Sequence, residues 1–224
     1  ASAVNYSTGD ESRPTSATAA DLDGDGDNDL AVTNQGSDRV SILLGNGDGS
    51  FASAVNYITG DVSRSVAAAD LDGDGDNDLA VANVHSDDLS ILLGNGDGTF
   101  TTAVNYGTGE EPREITSADL DGDGDIDLAT ANAAADNVSI LLGNGDGTFA
   151  PEVNHSAGNG PWSVAAADLN GDGDIDLAVA NRLSDNISIH LGNGDGTFAP
   201  EVNYGSGDDP QSVASADLDG DGDY

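Results

Sequence analysis

An all-β fold built from tandem repeats is predicted by three observations. The string Asp-Leu-Asp-Gly-Asp-Gly-Asp begins at Asp21, Asp70, Asp119 and Asp217, with a near copy at Asp168, so one unit recurs every 49 residues. No segment shows an apolar period of 3.6 over even three turns, which argues against helix. Short alternating runs are instead bounded by glycine, asparagine and aspartate, the punctuation of strands and tight turns.

The elements follow in order within the repeat from Ser63 to Thr108. Ser65 to Asp70 is a short β-compatible run of small side chains, and the acidic loop follows it. Leu79 to Asn83 reads as a second strand, a polar link runs from Val84 to Asp88, and Leu89 to Leu93 alternates as a third. Gly94-Asn95-Gly96-Asp97-Gly98 contains Asn-Gly and Asp-Gly pairs, which favour turns with positive φ. Phe100 to Tyr106 supplies a fourth strand. Four antiparallel strands in each such unit is the pattern of a β-propeller blade. The first strand would be innermost, where only small side chains fit, with Ile91, Leu93, Phe100 and Tyr106 packing between blades.

This reading makes residues 1–224 one repeat domain with complete blades at about 12–58, 61–107, 110–156 and 159–205. A fifth, split blade remains, with a lone fourth strand at residues 3–6 in the segment 1–9 and a lone first strand at residues 211–217 in the segment 208–224. A ring so divided would have a gap, and exposed strand edges invite pairing, so the chain is expected to be either a fragment of a longer array or one of several copies that assemble through their ends, as an open or assembled array.

The acidic loop has the chemistry of a hard-cation site. Asp21-x-Asp23-x-Asp25-Gly26-x-x-Asp29 sets oxygen ligands at alternate positions around an obligatory glycine turn. Asp21, Asp23, Asp25 and Asp29 are expected to bind through carboxylates and Asp27 through its backbone carbonyl. The second loop offers Asp70, Asp72, Asp74, Asp76 and Asp78, and the third Asp119, Asp121, Asp123, Asp125 and Asp127. In the fourth loop, Asp168, Asn170, Asp172, Asp174 and Asp176, the asparagine keeps an oxygen but loses a charge, so weaker binding is expected. The fifth offers Asp217, Asp219, Asp221 and Asp223 and lacks a ninth-position acid. Ca2+ is the expected ion. Two carboxylates about 4 Å apart repel by roughly 4 kcal/mol at an effective dielectric near 20, so converging carboxylates need a counter-ion. An EF-hand is disfavoured, since position twelve is Val32 rather than glutamate and the flanks are β-like.

Composition narrows the class further. Of 42 acidic residues 23 lie in these five loops, and five divalent ions would reduce the net charge of −37 to about −27. The only basic residues are Arg13, Arg39, Arg64, Arg113 and Arg182, which leaves no basic patch for nucleic acid. Cysteine is absent, so disulfides contribute nothing. Methionine is absent too, so Ala1 is expected to begin a processed or excised piece from which any signal peptide or anchor has been removed. There is no run of 18 apolar residues, and membrane insertion is not expected.

The Asp-x-Asp-x-Asp-Gly-x-x-Asp loop followed by Leu-Ala-Val, and the segment Leu-Gly-Asn-Gly-Asp-Gly-Thr-Phe at 93–100, 142–149 and 191–198, resemble the FG-GAP family and the related VCBS-type repeats. The resemblance covers essentially the whole chain. It implies a calcium-binding propeller like those of integrin α chains and of many secreted bacterial proteins. It also implies seven blades in a closed ring, from which this chain departs. The family hosts adhesins, lectins and noncatalytic appendages of enzymes, so the resemblance speaks for fold more than for function.

Meander topology puts the acidic loops and the Gly-Asn-Gly-Asp-Gly turns on one face and the remaining links on the other. That second face carries the variation among repeats: Arg13, Arg64, Arg113, Trp162 and Gln211 before the first strands, and Gln35, Val84, Ala133 and Arg182 after the second. Variable loops on a constant frame are where recognition is expected, and Trp162 offers a ring on which a sugar could stack. The expected role is an extracellular, secreted or cell-surface module for adhesion or for recognition of a glycan or protein, with structural calcium. The alternative is a purely structural array or filament of copies joined through open blade edges. Sequons at Asn5, Asn137, Asn154 and Asn186 would permit glycosylation in either setting. Catalysis is not expected, because the carboxylates are committed to cations and His85, His155 and His190 occupy different positions in their repeats.

Overall fold

The computed structural model describes residues 3–9 and 12–217. The described residues form four antiparallel four-stranded sheets, each a meander in chain order. The first contains β1(Pro14–Ala20), β2(Asp29–Asn34), β3(Arg39–Leu43) and β4(Val55–Ile58). The second contains β5(Ser63–Ala69), β6(Asp78–Asn83), β7(Asp88–Leu92) and β8(Val104–Gly107). The third contains β9(Pro112–Ala118), β10(Asp127–Asn132), β11(Asn137–Leu141) and β12(Val153–Ser156), and the fourth β13(Pro161–Ala167), β14(Asp176–Asn181), β15(Asn186–His190) and β16(Val202–Gly205). These are four blades of a β-propeller. Their first strands lie side by side, β1 against β5, β5 against β9 and β9 against β13.

The core lies between blades rather than within them. A sheet covered on both faces buries every position of its middle strands, and β6, β10 and β14 are buried throughout, apolar but for Thr130 and for the aspartate and asparagine at their ends, whose side chains are hydrogen-bonded. Alternate residues serve alternate neighbours: Leu79, Val81 and Leu92 join Ala31, Val40 and Ile42 of the first blade, whereas Ala80, Ala82, Leu89 and Ile91 join Leu128 and Leu141 of the third. Each fully buried Leu, Ile or Val contributes roughly 1.5–3 kcal/mol.

Two sequence expectations change. The fourth strand starts at Val104 rather than Phe100, because Phe100 forms only an isolated bridge to Gly94 that closes the glycine-rich turn. No strand forms at residues 3–6 or 211–217, since neither segment has a ladder partner among the described residues. Both nevertheless pack where a blade would. Tyr6 meets Phe51 edge-on at 5.5 Å, repeating Tyr57–Phe100 and Tyr106–Phe149. Val213 N–H donates to Ser163 Oγ at 3.0 Å, as Ile115 N–H does to Ser65 Oγ at 3.5 Å.

One irregularity recurs in every first strand. Pairing steps from Ser63 with Asn83 to Ser65 with Ala82, so Arg64 is an extra, bulged residue. The same step isolates Thr15, Arg113 and Trp162. Two residues before each bulge the backbone is left-handed: φ is 47° at Arg13, 62° at Val62, 56° at Glu111 and 63° at Gly160. For a β-branched residue such as Val62 that conformation costs of order 1–3 kcal/mol.

Candidate metal loops and an axial binding mouth

The acidic loops are folded by their own carboxylates. Asp21 accepts the N–H groups of Gly24 and Gly26 at 2.8 and 2.9 Å, and Asp25 accepts that of Asp27 at 2.8 Å. Gly24 and Gly26 have φ of 75° and 90°, which only glycine adopts at no steric cost. Asp29 is fully buried at the start of β2, and its two oxygens accept Leu22 N–H at 2.7 Å and Gly45 N–H at 2.6 Å. The ninth-position aspartate therefore ties the loop to the turn after the third strand.

Three carboxylates converge in each of three loops. Asp21, Asp23 and Asp29 offer oxygens within 4.8 Å of one another, as do Asp70, Asp72 and Asp78, and Asp119, Asp121 and Asp127. Asp25, Asp74 and Asp123, expected from spacing as further carboxylate ligands, lie outside these triads; Asp27, and at the same loop position Asp76 and Asp125, would contribute a backbone carbonyl rather than a carboxylate. In the fourth loop Asn170 takes the place of the middle carboxylate; its Oδ1 accepts Asp172 N–H at 2.9 Å and its Nδ2 donates to Asp172 Oδ2 at 2.9 Å. Of the fifth loop, Asp219, Asp221 and Asp223 lie outside the described residues.

Electrostatics within the triads are compatible with a bound cation. Burial, opposed by backbone hydrogen bonds, pushes Asp78 and Asp127 up to about 6. Burial likewise raises Asp23, Asp72 and Asp121, and neighbouring carboxylates add to the effect. An all-oxygen donor set of this kind suits a hard divalent ion, with carbonyls and water completing its shell.

The first three loops are also junctions between blades. Gly98 N–H of the second repeat donates to Leu22 O of the first at 3.0 Å, and Gly147 and Gly196 repeat the contact with Leu71 and Leu120 at 3.1 and 3.3 Å. A Cβ on Gly98 would meet the Leu44 side chain at 2.8 Å. Sequence reasoning missed this coupling, although glycine recurring at 98, 147 and 196 was its signal.

At the opposite end of the first strands the bulges converge. Thr15, Arg64, Arg113 and Trp162 line one cleft of about 170 Å³ together with Glu114 and Gln211. Arg13, grouped with these from the sequence, is the left-handed residue two places before the bulge and does not line the cleft; its place belongs to Thr15. The Arg64, Arg113 and Arg182 guanidinium carbons lie 4.8, 4.6 and 4.8 Å from the centre of the Trp162 ring. Three of the chain's five basic side chains thus meet at its single tryptophan. Arg113 pairs with Glu111, and Arg182 Nε donates to Asp209 at 2.5 Å. Burial, followed by the charge of Arg113, lowers the pKa of Arg64, while Glu114 opposes the shift. Burial raises the pKa of Glu114, whose carboxyl accepts from Ser163 and from Val164 N–H.

Comparison with known proteins decides the family. The FG-GAP-like repeat profile matches residues 21–81, 70–130, 119–179 and 168–224. The chain belongs to the FG-GAP-like repeat family. No curated protein matches it. Among solved structures, this FG-GAP chain is similar to an Agrocybe aegerita lectin described as recognising non-reducing terminal N-acetylglucosamine, with 27% identity and a TM-score of 0.60 over 83% of this chain and 50% of the lectin. A Lactobacillus plantarum protein aligns at 19% identity and a TM-score of 0.67, covering 83% of this chain and 54% of that one. A Bacteroides uniformis protein described as a candidate 6-phosphogluconolactonase aligns at 17% identity and 0.66, covering 88% and 56%. The FG-GAP chain spans about half the length of these structures.

Proposed function

We propose that this FG-GAP chain is a noncatalytic, calcium-stabilised recognition module of an extracellular protein, directed at a glycan or protein. The observation that carries the reading is the division of labour between the two ends of the first strands. One end repeats the same carboxylate triad, while the other gathers non-repeated arginines around Trp162. The likeness to a lectin at 27% identity supports a glycan as the partner. Calcium is structural in this reading: it joins the first strand of each blade to the second, so its binding free energy becomes folding free energy.

Two measurements test the proposal. At free calcium about tenfold above Kd each loop adds roughly 1.4 kcal/mol, so chelation should lower the urea midpoint substantially. An unchanged midpoint removes calcium from the account. A glycan array read with the calcium-loaded chain should show specific retention; a blank array, together with no protein partner, removes recognition.

A second reading, an array of copies joined edge to edge, is favoured by the fourth strands. Val55, Val104, Val153 and Val202 expose half or more of their surface along these outer edges. Ordered polymers in electron micrographs would support it, and a monodisperse monomer by sedimentation would remove it.

A further inference from the structure

The cluster at Trp162 has a chemistry that repetition does not explain. The Arg64 guanidinium makes no salt bridge or side-chain hydrogen bond among the described residues and feels the Glu114 carboxyl only at longer range, although it is half-buried in a chain carrying 42 acidic side chains. Arg113, paired with Glu111 through Nη2, has its Nε buried without a hydrogen-bond partner among the described residues. A guanidinium spends its charge on the ring it covers but keeps donors along its edge, in a fork that matches a carboxylate. With three guanidiniums already over the ring, Trp162 is better placed as a platform for cations than as a face for a sugar.

We propose that the axial mouth binds the carboxylate of a small monoanionic ligand, with a terminal uronic acid of a glycan as its chemical class and Arg64 as the principal donor. The proposal deepens the recognition reading above and rests on it. A single small group fits the cleft of about 170 Å³, which opens to solvent so that the rest of a glycan can lie outside it. Charge supports a single carboxylate. A net charge of −37 repels a polyanion outside the mouth, whereas one carboxylate inside it lies within a Debye length, about 8 Å, of the guanidiniums. Gln211 and the Glu114 carboxyl line the same cleft and can meet ligand hydroxyls.

Trp162 is the only tryptophan, so its fluorescence reports on this mouth alone. The full chain in calcium-containing buffer is titrated with glucuronate, glucose and sulfate. The expected result is a saturable change with glucuronate, none with glucose and a weaker one with sulfate. Arg64→Gln should bind glucuronate at least tenfold more weakly, Arg64→Lys should fall between, and Arg13→Gln should match the parent. Circular dichroism confirms that the variants fold, and Arg64→Lys keeps the test decisive if Arg64→Gln does not. An equal response to glucose, sulfate as tight as glucuronate, no response to glucuronate, or undiminished binding by both Arg64 variants overturns the proposal. Retention on an array of neutral glycans alongside any of these leaves the recognition reading standing, so the two fail separately.

Discussion

The two ends of the first strands are built from the same repeat by opposite rules. At the loop end, a residue's partner is set by its place in the 49-residue unit: Asp29, Asp78, Asp127 and Asp176 each hold the same two N–H groups. At the bulge end only the backbone repeats, and the side chains delivered there are Thr15, Arg64, Arg113 and Trp162. The backbone can hold its irregular shape with almost any side chain, which frees that position for chemistry. The loop end has no such freedom, because its side chains are its hydrogen-bond acceptors.

The contrast can be broken most forcefully at Asp78. Asp78→Ala strands the N–H groups of Leu71 and Gly94 and removes a carboxylate from the second triad. At roughly 1–3 kcal/mol for each unsatisfied group, a loss of about 3 kcal/mol or more is expected in urea unfolding. Asp74→Ala, outside the triad, should cost under 1 kcal/mol in the same measurement.

Next is a departure from repetition inside the repeated frame. His190 stands where the other blades bury Leu43, Leu92 and Leu141, and burial pushes it down to about 4. A histidine lowered in the folded state favours unfolding when protons are available. Its contribution is intact above the unfolded value near 6.5 and is lost as pH falls from there towards about 4, with a total of about 3 kcal/mol. In calcium-free buffer Asp78 and Asp127, raised to about 6, act in the opposite direction and lose stabilisation as pH rises through that value. The difference between the parent and His190→Leu across this range isolates the histidine, and the variant should be the more acid-resistant. Equal acid sensitivity would remove His190 as the weak point of the junction between the third and fourth blades.

Smaller effects sharpen the picture. Gly98→Ala combines a φ of 78° with the clash against Leu44, and should cost about 1–3 kcal/mol in thermal or urea melts. At the bulge end, Val62→Gly relieves a left-handed β-branched residue and should stabilise by up to about 1 kcal/mol, the smallest change of the series. A large loss there would show that the Val62 side chain, rather than the backbone, holds the bulge.

The fold was legible because period and pattern are local: alternating runs and glycine pairs mark strands and turns without any knowledge of neighbours. The loops were legible as oxygen-rich turns for the same reason. The unequal roles within a loop were not, since the burial of Asp29 and its bond to Gly45 arise only when the third strand folds back. The mouth was half legible. Arg64, Arg113, Trp162 and Gln211 fall 49 residues apart and line one cleft; the residue in phase with them is Thr15, whereas Arg13 is two residues out of phase and is the left-handed residue ahead of the bulge. Nor does the sequence bring Arg182 to Trp162, since that meeting depends on the path of β13 into β14. The sequons at Asn137, Asn154 and Asn186 acquire another meaning: their amide oxygens accept from Asn132, Ser139 and Asn181 in cross-strand networks of the third and fourth blades.

The alternation of partners along the middle strands bears on how such a chain can change over generations. A unit duplicated or deleted whole meets both neighbours through the same side chains, so the count of units is nearly free to drift. The residues brought to the mouth are set by order along the chain, and any such event reshuffles them. Shape is inherited by the unit, and chemistry by the sequence of units.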